Sequence, residues 1–229
     1  MVGWSLMKLE KLPVTRSLLA VCAHPDDESF GLGAALAAFD DAGSSTSVLC
    51  FTHGEASTLG ADAPDLGRVR ARELTAAAEE LGVTAVELLH YADGHLSDEP
   101  LDALKVPVRR ALQESRADLL LVFDEGGITG HADHWRASEA ALAVAREHGL
   151  PVLAWTLTER VADALNHEFG ARFVGRRDDD VDFVVRVDRT RQRRAIEKHA
   201  SQGVDSPVLA RRLQLQGDEE AFRWLRAPQ

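Results

Sequence analysis

The sequence predicts an α/β fold: a Rossmann-like, mostly parallel sheet with helices on both faces, in a single domain with a C-terminal helical appendage. Three observations carry it. Short apolar runs alternate with longer Ala-, Leu- and Glu-rich stretches from residue 17 to residue 169, the pattern of successive strand–helix units. The runs at 17–23 and 119–123 are almost wholly apolar rather than alternating, as strands covered on both faces are. Both stop at knots of polar residues, V-C-A-H-P-D-D-E-S-F at 21–30 and D-E-G-G-I-T-G-H-A-D-H at 124–134. Parallel strands end on the same edge of their sheet, and that edge is where ligands bind in open α/β folds.

The elements follow in order. Residues 17–23 are the first strand and 30–42 the first helix, which Gly43 stops. Residues 46–52 are the second strand, followed by a polar loop at 53–65 and a helix at 67–81 that ends at Gly82. The third strand, 85–91, leads into a loop at 92–100. Helix 101–116 must start at Pro107 or kink there, since proline has no amide proton to donate. Strand 119–123 runs into the second knot and helix 133–148 leaves it. Strand 152–158 and helix 159–169 complete the alternation. A late strand, 181–187, has the alternating character of a sheet edge. Residues 190–202 read as a basic helix, and 206–225 as helical with a break near Gly217. The expected organisation is an N-terminal extension at 1–16, a domain at 17–202, and a helical tail at 203–229 packed on that domain.

With 229 residues of which 45% are hydrophobic, a sizeable core can be buried. A net charge of -11 excludes a nucleic-acid surface, which needs a basic face, and leaves a small molecule as the expected partner. Cys22 and Cys50 each sit in an apolar run, so free buried thiols in a reducing, cytoplasmic setting are expected rather than a disulfide framework. No run approaches the ~20 apolar residues of a membrane span, and the first residues lack the apolar stretch of a signal peptide. The sequence leaves a homo-oligomer open. Gly31 and Gly33 begin a G-x-G, but Leu36 stands where a dinucleotide fingerprint wants Gly or Ala. Gly126, Gly127 and Gly130 form a flexible loop without the strand-to-helix turn of a nucleophile elbow.

The two knots together offer His24, Asp26, Asp27, His131, Asp133 and His134. A catalytic zinc takes three protein ligands and keeps one position open, and His24, Asp27 and His134 supply such a set. Fe²⁺ or Co²⁺ suits similar donors. Asp26 is then free beside the metal as a general base, and His131 is free to stabilise an oxyanion or protonate a leaving amine. Asp133 is expected to hydrogen-bond His131 and set its tautomer. From the neighbouring loops, Glu55, Arg70, Asp93 and His95 are candidate substrate-binding groups. Aromatic residues are scarce at 6%, and Trp135 alone among the tryptophans falls near a knot, so no wide stacking platform is expected.

The motif A-H-P-D-D-E at 23–28 with H-A-D-H at 131–134 resembles the PIG-L/LmbE-like family of zinc-dependent N-deacetylases, which includes N-acetylglucosaminyl-phosphatidylinositol deacetylases and deacetylases of mycothiol and bacillithiol synthesis. Ala132 stands where that family usually has proline. T-H-G-E at 52–55, Arg70 with Glu73, Leu81-Gly82 and A-I-E-K-H-A-S-Q at 195–202 are similar to further family segments, so the likeness runs from about Leu18 to Gln202. It implies His24, Asp27 and His134 as metal ligands, Asp26 as base, His131 as the group that stabilises the tetrahedral intermediate or acts as acid, Asp133 as its modulator, and Arg70 as a substrate contact. The implied activity is removal of acetyl from an N-acetylglucosamine-type conjugate. The alternatives are a zinc amidase on a thiol conjugate or antibiotic precursor, and a non-catalytic, metal-stabilised binding domain.

Overall fold

The computed structural model describes residues 10–203 and 206–228. Most of the expected N-terminal extension, residues 1–9, lies outside them. The elements are β1 (Ser17–Cys22), α1 (Asp27–Phe30), α2 (Gly33–Asp41), β2 (Ser45–Thr52), α3 (Leu66–Leu81), β3 (Ala85–Tyr91), α4 (Leu101–Ser115), β4 (Leu119–Phe123), α5 (Gly127–Gly130), α6 (Ala132–His148), β5 (Val152–Thr158), α7 (Glu159–Phe169), β6 (Gly175–Arg176), β7 (Phe183–Arg186), α8 (Thr190–Lys198), α9 (Pro207–Gln216) and β8 (Glu219–Arg226).

The sheet runs β3-β2-β1-β4-β5-β8-β7, with β6 paired to β5. From β3 to β5 all pairs are parallel, while β8 runs antiparallel to both β5 and β7. The chain builds outward from β1 to β3, then returns to lay β4 on the other side of β1. The order therefore reverses between β1 and β4, and the loops leaving these two strands part there to form a crevice. Both polar knots are those loops.

The unbroken apolar strands are explained by two cores. Leu18, Ala20 and Cys22 of β1 pack with α2, Leu121, Phe123 and Trp155 on one face. Leu19 and Val21 pack with Leu104, Val108, Leu120 and Ala141 on the other. A strand with both faces covered has no polar positions to alternate.

Three details differ from expectation. The first helix begins at Gly33, and a separate single turn, α1, lies within the knot before it; Gly31 between them faces the Phe123 ring, where a Cβ would meet Phe123 Cε1 at 2.3 Å. Pro107 does not start α4 but sits inside it. The C-terminal tail is not an appended pair of helices. Gly217, at φ 61° and ψ -127°, ends α9, and Glu219–Arg226 form β8 inside the sheet between β5 and β7. Phe222 and Trp224 of β8 pack in one core and Leu225 in the other, so this strand too lacks a clean period of two.

Candidate active site

The first knot forms where β1 ends. Pro25 turns the chain so that the amides of Ala23 and His24 both donate to Asp27 Oδ2, at 3.0 and 2.9 Å. The turn sets Asp26 at φ 125°, a region that side chains other than glycine rarely adopt. Such strain persists only where the surroundings over-determine it. Here the Asp26 amide donates to Glu28 Oε2 at 2.9 Å, and its carbonyl accepts from the amides of Ser29 and Phe30. Its carboxylate accepts from Arg70 Nη2 at 2.9 Å. Arg70 also donates to the carbonyls of Pro25 and Gly54. Glu28 is fully buried and is anchored by Ser29 Oγ at 2.5 Å and by His199 Nε2 at 2.7 Å.

The second knot is fixed by the start of α6. His131 caps that helix, its Nδ1 accepting from the Asp133 amide at 3.2 Å. This leaves the proton of a neutral ring on Nε2. The Asp133 carboxylate accepts from the amides of Gly94 at 2.8 Å and Leu96 at 3.1 Å. It reaches His24 Nε2 at 3.3 Å, and Asp93 reaches the same nitrogen at 3.0 Å. The expected Asp133–His131 side-chain bond is thus replaced by an Asp133–His24 bond, because the backbone of Asp133 already occupies His131.

With His24 Nε2 donating to two carboxylates, its Nδ1 presents a lone pair. That atom lies 3.1 Å from His134 Nε2, which lies 3.1 Å from Asp27 Oδ1, and Asp27 Oδ2 is 3.8 Å from His24 Nδ1. A tetrahedral site with bonds of about 2.0–2.1 Å has edges of roughly 3.3 Å, so these donors fit a divalent cation. A second grouping, His24, His131 and Asp133, also converges. Both of its carboxylate oxygens accept from backbone amides and its His131 Nδ1 is taken by the Asp133 amide, whereas Asp27 spends only Oδ2 on amides and keeps Oδ1 beside His134, so the set His24, Asp27 and His134 fits better.

The electrostatics agree. Burial works against charge on His24, yet its bonds to Asp133 and Asp93 outweigh burial and raise its pKa to about 10 in the metal-free chain. Burial likewise opposes the charge on Asp27, and His134 overcomes it, holding the carboxyl below its usual range. Burial lifts Asp26 to about 6, with Arg70 opposing. Burial, and then His24 and His134, lower the pKa of His131, which is neutral at neutral pH. A cluster that draws a proton so strongly onto His24 has an excess of carboxylate that a metal cation would satisfy.

These groups line one end of a cavity of about 510 Å³ that also reaches Asp93, Gln202, Trp155 and α9. Gln202 accepts from Ser57 Oγ at 2.8 Å on its wall. Not every expected substrate group takes that place. Arg70 lines the cavity, is only 3% exposed, and donates to Asp26 and to two carbonyls, while its buried Nε has no partner. Glu55 accepts from the Asp93 amide at 3.0 Å and lines a neighbouring cleft with His53 and His90. His95 is paired with Asp98 at the surface. Asp93 holds His24 from the wall. Trp135 is exposed, whereas Trp155, in the middle of β5 opposite Phe123 at the end of β4, lines the cavity. That position follows from strand order, which no local signal revealed.

The sequence profile of the PIG-L family, described as GlcNAc-PI de-N-acetylase, matches residues 19–145, more than half of the chain. The chain belongs to the PIG-L family. A 1D-myo-inositol 2-acetamido-2-deoxy-alpha-D-glucopyranoside deacetylase of Kribbella flavida is 33% identical over 199 residues, covering 67% of this chain and 65% of that protein. The chain spans 56% and 62% of two further proteins of the same description, so it covers less than two thirds of these PIG-L relatives. The zinc-inhibited form of a teicoplanin deacetylase has the same fold, with a TM-score of 0.71, 20% identity, and coverage of 92% of this chain and 98% of that one. So does a 4-carboxy-2-hydroxymuconate hydratase of Pseudomonas putida, with a TM-score of 0.70, 18% identity, and coverage of 93% and 98%.

Proposed function

We propose that the chain is a zinc-dependent N-deacetylase that hydrolyses the acetamide of an N-acetylglucosamine-type conjugate, with His24, Asp27 and His134 holding the metal. One observation carries the reading: the Asp26 carboxylate stands in the cavity beside the three-donor set but outside it. A purely structural zinc is closed by four ligands and has no use for a spare base. The family description and the name of the Kribbella flavida relative support the substrate class. Fe²⁺ or Co²⁺ would suit the same donors.

Bound zinc supplies Lewis acidity, polarising the amide carbonyl and acidifying water. The chain's own residues do the rest. Asp26, aimed by Arg70, accepts a proton from the attacking water. The Nε2–H of His131 donates to the oxygen on which negative charge develops. Its lowered pKa suits a neutral hydrogen-bond donor better than a stored acid. As the C–N bond breaks, the proton taken up by Asp26 passes to the amine. Asp93 and Asp133 hold His24 in the tautomer that leaves Nδ1 for the metal. Ser57, Gln202 and Thr129 offer polar groups to sugar hydroxyls. Among the described residues no helix is long and apolar enough to cross a membrane. The free, buried Cys22 and Cys50 support a cytoplasmic setting.

The fold also serves a hydratase, so the test must read the bond that breaks. Zinc-loaded protein should release free amine and acetate from N-acetylglucosamine glycosides faster than from acetyl-lysine peptides. Fully loaded protein that releases no amine from any N-acetyl sugar overturns the reading. Faster turnover of the peptides removes the sugar and leaves the amidase.

A further inference from the structure

The far end of the cavity is built differently from the metal end. Ring contacts lead to it: His134 to Phe123 at 4.9 Å, Phe123 to Trp155 at 5.5 Å, and Trp155 to the Arg212 guanidinium at 5.2 Å. Phe30, Phe173, Val208 and Leu209 make the rest of this end apolar. Arg212 is 6% exposed and lines the cavity. Its one hydrogen bond among the described residues runs from Nη2 to the Phe30 carbonyl, and its buried Nε has no partner.

Arg212 also lacks a carboxylate of its own. The nearby buried acid is Glu220, and its oxygens are taken: Oε1 accepts from Arg189 at 2.5 Å, and Oε2 from Trp155 Nε1 at 2.6 Å and Gln216 Nε2 at 2.9 Å. Arg189 is fully engaged there, bonding also to Gln192 and the carbonyls of Gly217 and Glu219. Two buried arginines thus share one buried carboxylate, which leaves a net positive charge at the cavity wall. Burial pulls Arg212 down to about 10, so it is still a cation at neutral pH. An unpaired buried cation is costly, and it is retained where a ligand completes it.

We propose that Arg212 is an anion subsite: the substrate carries a carboxylate or phosphate on its aglycone, reaching Arg212 across the apolar wall of Phe123, Trp155 and Leu209. This rests on the reading of the metal end as the acetamide site. It transfers to Arg212 the anion-binding role that Arg70, neutralised by Asp26, cannot fill. The polarity of the cavity orients the ligand. Arg212 draws the anion to the far end, and the metal donors and Asp26 at the other end are left for the acetamide.

The test is direct binding to the zinc-loaded full chain by calorimetry, with butyl, 4-carboxybutyl and 4-phosphobutyl glycosides of glucosamine. These have no acetamide and are not consumed. At least one anionic glycoside should bind 10-fold or more tightly than the butyl glycoside, and whichever gains more identifies the anion. Arg212→Gln should bring all three to the butyl value, and Arg212→Lys should restore part of the preference. Ser206→Asp should also suppress it, by placing a carboxylate on the cavity wall while keeping a cap for α9, since Ser206 already accepts from the Leu209 amide. Equal binding of the three glycosides by the unaltered chain overturns the proposal alone, as does a preference that survives in folded Arg212→Gln or Ser206→Asp. Failure of every glycoside to bind overturns the sugar reading and this proposal with it.

Discussion

Arg70 Nη2 lies 2.9 Å from Asp26 Oδ2, and this pair sets the direction of the carboxylate proposed as base beside His24, Asp27 and His134. In the proposed mechanism the arginine acts on the base rather than on the aglycone. Arg70→Ala should lower kcat on neutral and charged glycosides alike, by a factor approaching the 10²–10⁴ that loss of a general base costs. It should also destabilise the fold, because the carbonyls of Pro25 and Gly54 and the Asp26 carboxylate lose their donor. Steady-state kinetics on matched neutral and anionic substrates, with denaturant titration, check both. A loss confined to charged substrates would return Arg70 to the role of substrate contact.

The metal donors and the base should separate cleanly. His24→Ala and His134→Ala are expected to lower zinc occupancy sharply, measured by elemental analysis after gel filtration. Asp27→Ala should do the same, and it also strips the Ala23 and His24 amides of their acceptor. Asp26→Asn should keep its zinc and lose turnover by about 10²–10⁴. Full metal content in both histidine variants, or full activity in Asp26→Asn, would break this assignment.

The legible parts of this chain are those where chemistry is local. Strand β1, its abrupt end, and the spacing of His24, Asp26 and Asp27 lie within eleven residues, and one turn of α6 carries His131 to His134. The meeting of the two knots was readable because parallel strands end on one edge. What stayed hidden depends on contacts distant in sequence. Strand β8 lies between β5 and β7 with both faces covered, so its residues show no strand period. Arg70 reads as one helix charge among several until α3 is packed against the first knot. Trp155 and Arg212 enter the cavity only because β5 adjoins β4 and α9 comes back over that edge.

The Asp133 carboxylate holds His24 rather than His131, which changes what its loss should do. Asp133→Asn should weaken zinc binding 10–100-fold, the usual cost of removing a carboxylate behind a histidine ligand. Competition with a chelator of known affinity measures this. Were Asp133 instead the modulator of His131, zinc affinity would hold and the pH profile of kcat would move.

His199 provides a pH signature of the scaffold beneath Asp26. Its ring is fully buried and its Nε2 donates to Glu28 Oε1 at 2.7 Å. Burial disfavours its charge, but Glu28 outweighs burial and holds the pKa above the ordinary 6.5. Between pH 6.5 and that raised value the native chain binds a proton that the unfolded chain releases, so stability falls as pH rises. The contribution is fully present below 6.5 and gone above the native pKa. His199→Gln keeps a donor towards Glu28 but cannot titrate. The stability of the unaltered chain minus that of His199→Gln should therefore decline with pH above neutrality, at most by about 1.4 kcal/mol per pH unit for one proton. Denaturant titrations of both chains, zinc-loaded, from pH 5.5 to pH 9 measure the difference at each step. Zinc loading keeps His24 from taking up a proton, so the remaining slope belongs to His199. A flat difference would mean that His199 is neutral in the fold, and that the Glu28 carboxylate holding the Asp26 amide is braced by a neutral hydrogen bond rather than by a charge.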